Sequence, residues 1–238
     1  MKGGSSSDSV VAVVTIDGPG GSGKGTVARR VATRLSWHLL DSGALYRLVA
    51  LAGADAELSL DDEPGHGRLA QALDVQFTAD DAGQEVVLLG GLDVTARLRT
   101  EATGMAASRV ATMPDVRAAL LARQQAFARP PGLVADGRDM GTVVFPEAGL
   151  KIYLTATAEE RARRRHKQLK EKGLDVSLAA LSQEIRERDH RDSTRAVAPL
   201  RPAQDAVVID STGIPIEGVV DTVLALVGQR FPAAKLTP

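Results

Sequence analysis

The stretch GPGGSGKGT, residues 18–26, packs five glycines around one lysine. A loop of this make-up suits phosphate. Backbone N–H groups of a glycine-rich turn, and of the helix it opens, can converge on phosphate oxygens while an ammonium reaches the outer ones. The stretch fits two spacings. Gly18, Gly20 and Gly23 satisfy G-x-G-x-x-G, a dinucleotide-binding turn, with Asp41 about where a ribose-binding acid would stand. Gly18, Gly23 and Lys24 satisfy G-x-x-x-x-G-K-[ST], except that Gly25 replaces the hydroxyl residue. A dinucleotide turn has no need of a lysine directly after its third glycine. A purely structural turn has no need of so many glycines, each of which costs backbone entropy. The phosphate reading is therefore preferred, with Gly18, Pro19, Gly20, Gly21, Ser22, Gly23, Lys24, Gly25 and Thr26 as the cradle.

Gly25 narrows the class further. In switch GTPases and many ATPases the hydroxyl after the lysine holds Mg²⁺. Here Thr26 comes one residue late, so Mg²⁺ is expected to be held mainly by phosphates and water, with Asp136 as an outer-shell partner. The chain has no asparagine, hence no N-K-x-D guanine motif. The form of the loop is the variant seen in nucleoside monophosphate kinases. An enzyme that moves phosphate onto a second phosphate must hold two polyanions together, against roughly 1 kcal/mol per charge pair at 4 Å in water and more in a drier site. Arginines meet that need, because their planar fork pairs bidentately with phosphate oxygens. Arg47, Arg138, Arg161, Arg163, Arg164, Arg165, Arg188, Arg191 and Arg195 all lie near or beyond the expected strand ends.

Several of these residues admit a plainer reading. Arg117 follows Pro114-Asp115 in the first turn of an expected helix, where a cation opposes the macrodipole by a few tenths of a kcal/mol; it is either functional or a surface arginine. Arg188, Asp192 and Arg195 share one helical face, or Arg188 and Asp192 are an ordinary i,i+4 pair. Ser42 could be an N-cap and Asp139 could cap a turn. The RARRRHK cluster lacks interleaved aromatics, which speaks against nucleic-acid binding.

The elements that must position these residues alternate. VVAVVTID (10–17) reads as a strand buried on both faces, and Val27, Val31 and Leu35 mark an amphipathic helix after the loop. HLLD (38–41), LVAD (133–136), LKIYLTA (150–156) and AVVID (206–210) are further strand candidates. The pattern predicts a doubly wound parallel α/β sheet of about five strands, with ligands at its carboxyl edge alongside Asp41-Ser42, Asp136 and Asp210. Two segments interrupt it. Residues 62–103, with alternation at Leu73, Val75 and Phe77 and a turn signal DDAG, predict a small antiparallel insert. Residues 157–191 open with a possible capping box, Thr157 with Glu160, and a charged helix with too little apolar face to join a core, which predicts a lid or a solvated helix. The core is then expected at 10–61, 104–156 and 192–231, after a disordered tail at 1–9.

Composition bounds the rest. The 238 residues carry a net charge of −1 and 44% hydrophobic content, enough for one substantial core but not for a coat of nucleic acid or acidic membrane. The absence of cysteine removes disulfides and thiolate chemistry, and the four histidines form no metal-binding spacing. No membrane-spanning run or secretion signal stands out, so a cytoplasmic monomer is the default expectation.

Taken together, DGPGGSGKGT, WHLLDSGALYR, GLVADGRDMGTVVFP and RDSTRAVAPL, in this order and spacing, closely resemble the bacterial cytidylate kinase family, from about Val11 to Gly228. The resemblance implies a P-loop kinase that transfers the γ-phosphate of ATP, with Mg²⁺, to CMP or dCMP. It implies that Arg47 and Arg138 hold the acceptor phosphate, and that Ser42, Arg117, Asp139 and Arg195 read cytosine. It places Ser108, Arg188 and Asp192 at the ribose and Arg164 on the lid over the transferring group, so Lys24, Arg138, Arg164 and Arg188 form the catalytic set. The rivals are a kinase of the same fold for AMP or UMP, and a nucleotide-binding protein without an acceptor site.

Overall fold

The computed structural model describes residues 11–79, 85–171 and 173–235. Its elements run β1 (Val13–Asp17), α1 (Lys24–Leu35), β2 (His38–Asp41), α2 (Ser42–Asp55), α3 (Glu63–Gln71), β3 (Val75–Ala79), β4 (Glu85–Leu89), β5 (Leu92–Asp93), α4 (Thr95–Leu98) and α5 (Glu101–Val110). Then follow α6 (Pro114–Gln125), β6 (Leu133–Gly137), a π-helical turn (Met140–Val144), β7 (Leu150–Thr155), α7 (Ala158–Glu171), α8 (Leu178–Thr194), β8 (Val207–Asp210) and α9 (Ile216–Arg230). Five strands form a parallel sheet in the order β2-β6-β1-β7-β8. β1, flanked by β6 and β7, is wholly buried, as its unbroken β-branched run requires.

Alternation along β1 divides the core in two. Val14 and Ile16 pack with Val27, Val31 and Leu35 of α1 and with Val220, Val223 and Val227 of α9. Val13 belongs to the other cluster, with Leu45, Leu48 and Val49 of α2 and Val116 and Leu120 of α6. Helices thus cover both faces, and all five strands deliver their carboxyl ends to one edge. At roughly 1.5–3 kcal/mol for each large aliphatic side chain buried, these two layers hold that edge rigid.

Several expectations need correction. The stretch 62–103 does not open as a meander. Asp62 caps α3, accepting from Gly65 N at 2.9 Å, and α3 packs on α2 and α6. The antiparallel sheet β3-β4-β5 is confined to 75–93, and the DDAG signal lies outside the described residues, as do Val10 and the N-terminal tail. The capping box at α7 is half made: Thr157 Oγ1 accepts from Glu160 N at 3.2 Å, but the Glu160 carboxylate turns to Arg163 and Arg164. Nor is α7 free of core contacts, since Ala162 and Arg161 are buried against the rest of the chain. Its shortage of apolar residues is offset by ionic ties, because Arg161 pairs with Asp189 of α8 and donates to Gly20 O at 3.0 Å.

Candidate active site

The glycine loop leaves β1 and turns into α1 through Gly21 and Gly23, both at positive φ, 78° and 91°. A Cβ at Gly18 would stand 2.0 Å from Leu154 O, so the loop lies directly on β7. Lys24 opens α1, is buried, and donates from Nζ to Pro19 O at 3.4 Å. Beside it stands Asp136, at the end of β6. A Cβ at Gly25 would come 3.1 Å from Asp136 Oδ2. That explains the missing hydroxyl: the space a Ser or Thr side chain would enter at 25 is bordered by a carboxylate. Burial lowers the Lys24 ammonium below its usual range, and the Arg138 charge adds to the shift. Burial likewise raises Asp136, with Lys24 opposing.

On one side of Lys24 is a cavity of about 200 Å³. It brings together Ser42 and Arg47 of α2, Ser108 of α5, Arg117 of α6, Arg138 and Asp139 after β6, and Arg188, Asp192 and Arg195 at the end of α8. Every sequence-predicted acceptor residue therefore faces one space. On the other side a cleft of about 1280 Å³ is lined by the glycine loop, Arg29, Arg30, Arg161, Arg164 and Arg165, with Ile214 and Ile216 behind.

The cavity decides between the plain and the functional readings. Arg117 is not a surface arginine: its side chain is 10% exposed and forms an ion pair with Asp139, itself buried. Arg117 Nη1 also donates to Tyr46 Oη at 3.3 Å. Asp139 caps nothing; its second oxygen lies 4.0 Å from Arg195 Nη2. Ser42 is not the N-cap of α2. Asp41 is, accepting from Ala44 N at 3.0 Å, which leaves Ser42 Oγ to donate to Asp136 O at 2.9 Å. Asp192 takes its hydrogen bond from Arg138 Nε at 3.1 Å rather than from Arg188. Arg195 stands just past the last turn of α8 as its C-cap, with Nε donating to Ala198 O.

Arg188 Nε and Arg195 Nη2 are buried without a hydrogen-bond partner. Burial depresses both guanidinium pKa values, yet arginine stays charged. A buried guanidinium with an unused N–H is costly unless an anion or acceptor meets it. Both residues line the small cavity beside Lys24. Arg164, by contrast, is engaged. Its Nη1 donates to Ser22 O at 3.2 Å and to Ser211 Oγ at 3.1 Å, its Nη2 to Ser211 O at 2.6 Å, and its Nε to Glu160 at 3.0 Å.

Sequence reasoning missed Asp17, Tyr46 and the Arg161–Asp189 tie. Asp17 ends β1 with a 5% exposed carboxylate, and burial pushes it up to about 6. Burial also raises the Tyr46 phenol. The pattern DSGALYR did hold a signal for Tyr46, which falls four residues after Ser42 on the same face of α2. No spacing rule could have paired Arg161 with Asp189, 28 residues away on another helix.

Comparison with known proteins is consistent along most of the chain. The family model described as Cytidylate kinase matches residues 14–229. The chain is 59% identical over 218 residues to "Cytidylate kinase" of Pseudomonas paraeruginosa, covering 91% of this chain and 95% of that protein. It is 60% identical over 216 residues to "Cytidylate kinase" of Pseudomonas aeruginosa, covering 90% and 94%, and 58% over 219 residues to that of Aeromonas hydrophila, covering 92% and 95%.

Proposed function

The chain belongs to the cytidylate kinase family, and from that premise we propose that it transfers the γ-phosphate of ATP to CMP or dCMP, giving ADP and CDP or dCDP. The observation that carries the reading is the 200 Å³ cavity, in which residues from four helices and one strand end meet beside Lys24. Arg47 and Arg138 hold the acceptor phosphate. Ser42, Arg117, Asp139 and Arg195 read the base, supplying donors for O2 and N3 of cytosine and a carboxylate for its amino group. Uracil reverses two of those positions, so it would leave Asp139 facing an acceptor, and an unpaired buried polar group costs about 1–3 kcal/mol. Ser108, Arg188 and Asp192 face the sugar.

ATP lies in the larger cleft, its phosphates along 18–26. Lys24, Arg138, Arg164 and Arg188 neutralise the charge that spreads over the transferring group, which passes in line to an acceptor oxygen already ionised. No general base is needed for an acceptor oxygen already ionised. Segment 157–191 acts as the lid and 62–103 as part of the acceptor arm, both hinged on the sheet core. Closure excludes water that would otherwise hydrolyse ATP. For Mg²⁺, the described residues hold no cluster of three or more His, Cys, Asp or Glu ligands. Asp136, whose buried Oδ1 has no hydrogen-bond partner among the described residues, would be the outer-shell acceptor of an ion carried on the phosphates. When bound, such an ion would supply charge neutralisation to the phosphates.

The test is ADP release from ATP·Mg²⁺ with CMP, dCMP, UMP or AMP as acceptor. Rapid turnover on the two cytidine nucleotides is expected. Turnover on AMP or UMP instead would move the protein to a neighbouring specificity. No acceptor-dependent ADP release at all would leave only a nucleotide-binding loop.

A further inference from the structure

Asp17 lines neither of the two spaces, yet it adjoins elements that line both. It is the last residue of β1, so its backbone leads directly into Gly18 and the glycine loop. On the neighbouring strand its register partner is Gly137. After Gly137 the chain makes two residues, Arg138 and Asp139, and then curls back. At the return, Met140 N donates to Asp17 Oδ1 and Gly141 N to Asp17 Oδ2, each at 2.8 Å. The dipeptide that projects into the acceptor cavity is thus tied at both ends to one residue, by the strand ladder before it and by a carboxylate after it.

The surroundings make the carboxylate the decisive part of that tie. The curl is a π-helical turn, and Asp139 at its head offers no side-chain cap of its own, because its carboxylate is spent on Arg117 and Arg195. The first N–H groups of such a turn need acceptors from elsewhere. Asp17 supplies two in the short, charge-assisted form. The backbone there has little room to shift: a Cβ at Gly137 would stand 2.7 Å from Met140 Cγ and Ser42 Oγ, and one at Gly141 would stand 2.8 Å from Thr15 Oγ1.

We propose that Asp17 is a positioning residue of the acceptor site, setting the Arg138–Asp139 dipeptide through its paired bonds to the Met140 and Gly141 amides and linking that setting to the glycine loop. The inference rests on the cytidine-nucleotide reading given above and deepens it. Asp17 itself touches no reacting atom. Its effect is expected in how the acceptor is held and read, not in donor binding.

The test is Asp17→Asn, which keeps size and one acceptor oxygen but turns an NH₂ toward the second amide. Steady-state kinetics should show KM for CMP raised about tenfold or more, KM for ATP within about twofold, and the CMP-over-UMP preference eroded. Amide hydrogen exchange on the unaltered protein supplies a second readout: Met140 and Gly141 should exchange far more slowly than exposed loop amides, and their protection should fall in the variant. A variant that loses active protein while its CMP and ATP constants and its base preference stay unchanged would show a purely structural role and overturn the proposal. So would loop-like exchange at Met140 and Gly141 in the unaltered protein, a result available even if the variant fails to fold. If the unaltered protein does not phosphorylate CMP, the functional reading fails, and the exchange result still decides whether Asp17 holds the turn.

Discussion

The two spaces that meet at Lys24 share Gly25, Arg47, Arg138 and Arg188 but are built differently. Around the smaller one, arginines are buried and matched to acids: Arg117 and Arg195 to Asp139, and Arg138 to Asp192. Those acids sit on the rigid end of β6 and the last turns of α8. Around the larger one, the cations come chiefly from α1 and from α7, and their acid partners are more exposed. Arg165 reaches Glu101 across the cleft with side chains 33% and 54% exposed, and Arg30 pairs with Glu217 at 43% and 64%. A small space with paired, desolvated charges is set before its ligand arrives. A wide space with solvated charges must close on its ligand. On the proposed function, selectivity would belong to the first and sequestration to the second.

The comparison can be broken first at Lys24, one of the residues both spaces share. Lys24→Met removes the ammonium proposed to meet the transferring phosphate, and kcat should fall about 10³-fold, some 4 kcal/mol of transition-state stabilisation, with protein yield unchanged; ADP release under saturating substrates measures it. Asp139→Ala strikes only the smaller space and should show in folding as well as in kinetics. It strands Arg117 and Arg195 without their anion, so denaturant unfolding should report a loss of about 3 kcal/mol or more.

Asp17 gives a pH test. Its carboxyl, held near 6 in the fold against 3.8 as the ordinary value, keeps a proton that the unfolded chain has already released. The stability it contributes is full below about 4 and is lost as pH rises to about 6. The difference in unfolding free energy between the native protein and Asp17→Asn should therefore shrink by roughly 3 kcal/mol from pH 4 to pH 7. A flat difference would mean that burial does not dominate at this group. The smallest effect is expected at the mouth of the larger space. Arg165→Ala should change unfolding free energy by no more than about 1 kcal/mol, and added salt should reduce even that.

The sheet was legible because short apolar runs, four of the five ending in aspartate, leave few alternatives, and all five predicted strands form with ends within a residue, save the start of β1, which is Val13. Helix α3 was not. The short stretch EPGHGRLAQ holds two glycines and a proline, and what fixes it is the Asp62 cap and its packing against α2 and α6. The same divide runs through the site. Lys24 and the glycine loop announce themselves by local spacing, whereas the meeting of Arg117 with Asp139 depends on which helix the topology sets opposite β6. Residues with a readable plain role, such as Ser42 and Asp139, could be assigned only once neighbours had taken that role: Asp41 caps α2, and Asp17 caps the turn after Asp139.

The most direct measurement is calorimetric titration of CMP, and separately of UMP, into the protein with no ATP present. A preset acceptor pocket predicts one CMP bound per chain without any donor, and UMP at least about tenfold weaker. Heat that appears only once a donor nucleotide is added, or equal affinity for the two bases, would contradict it.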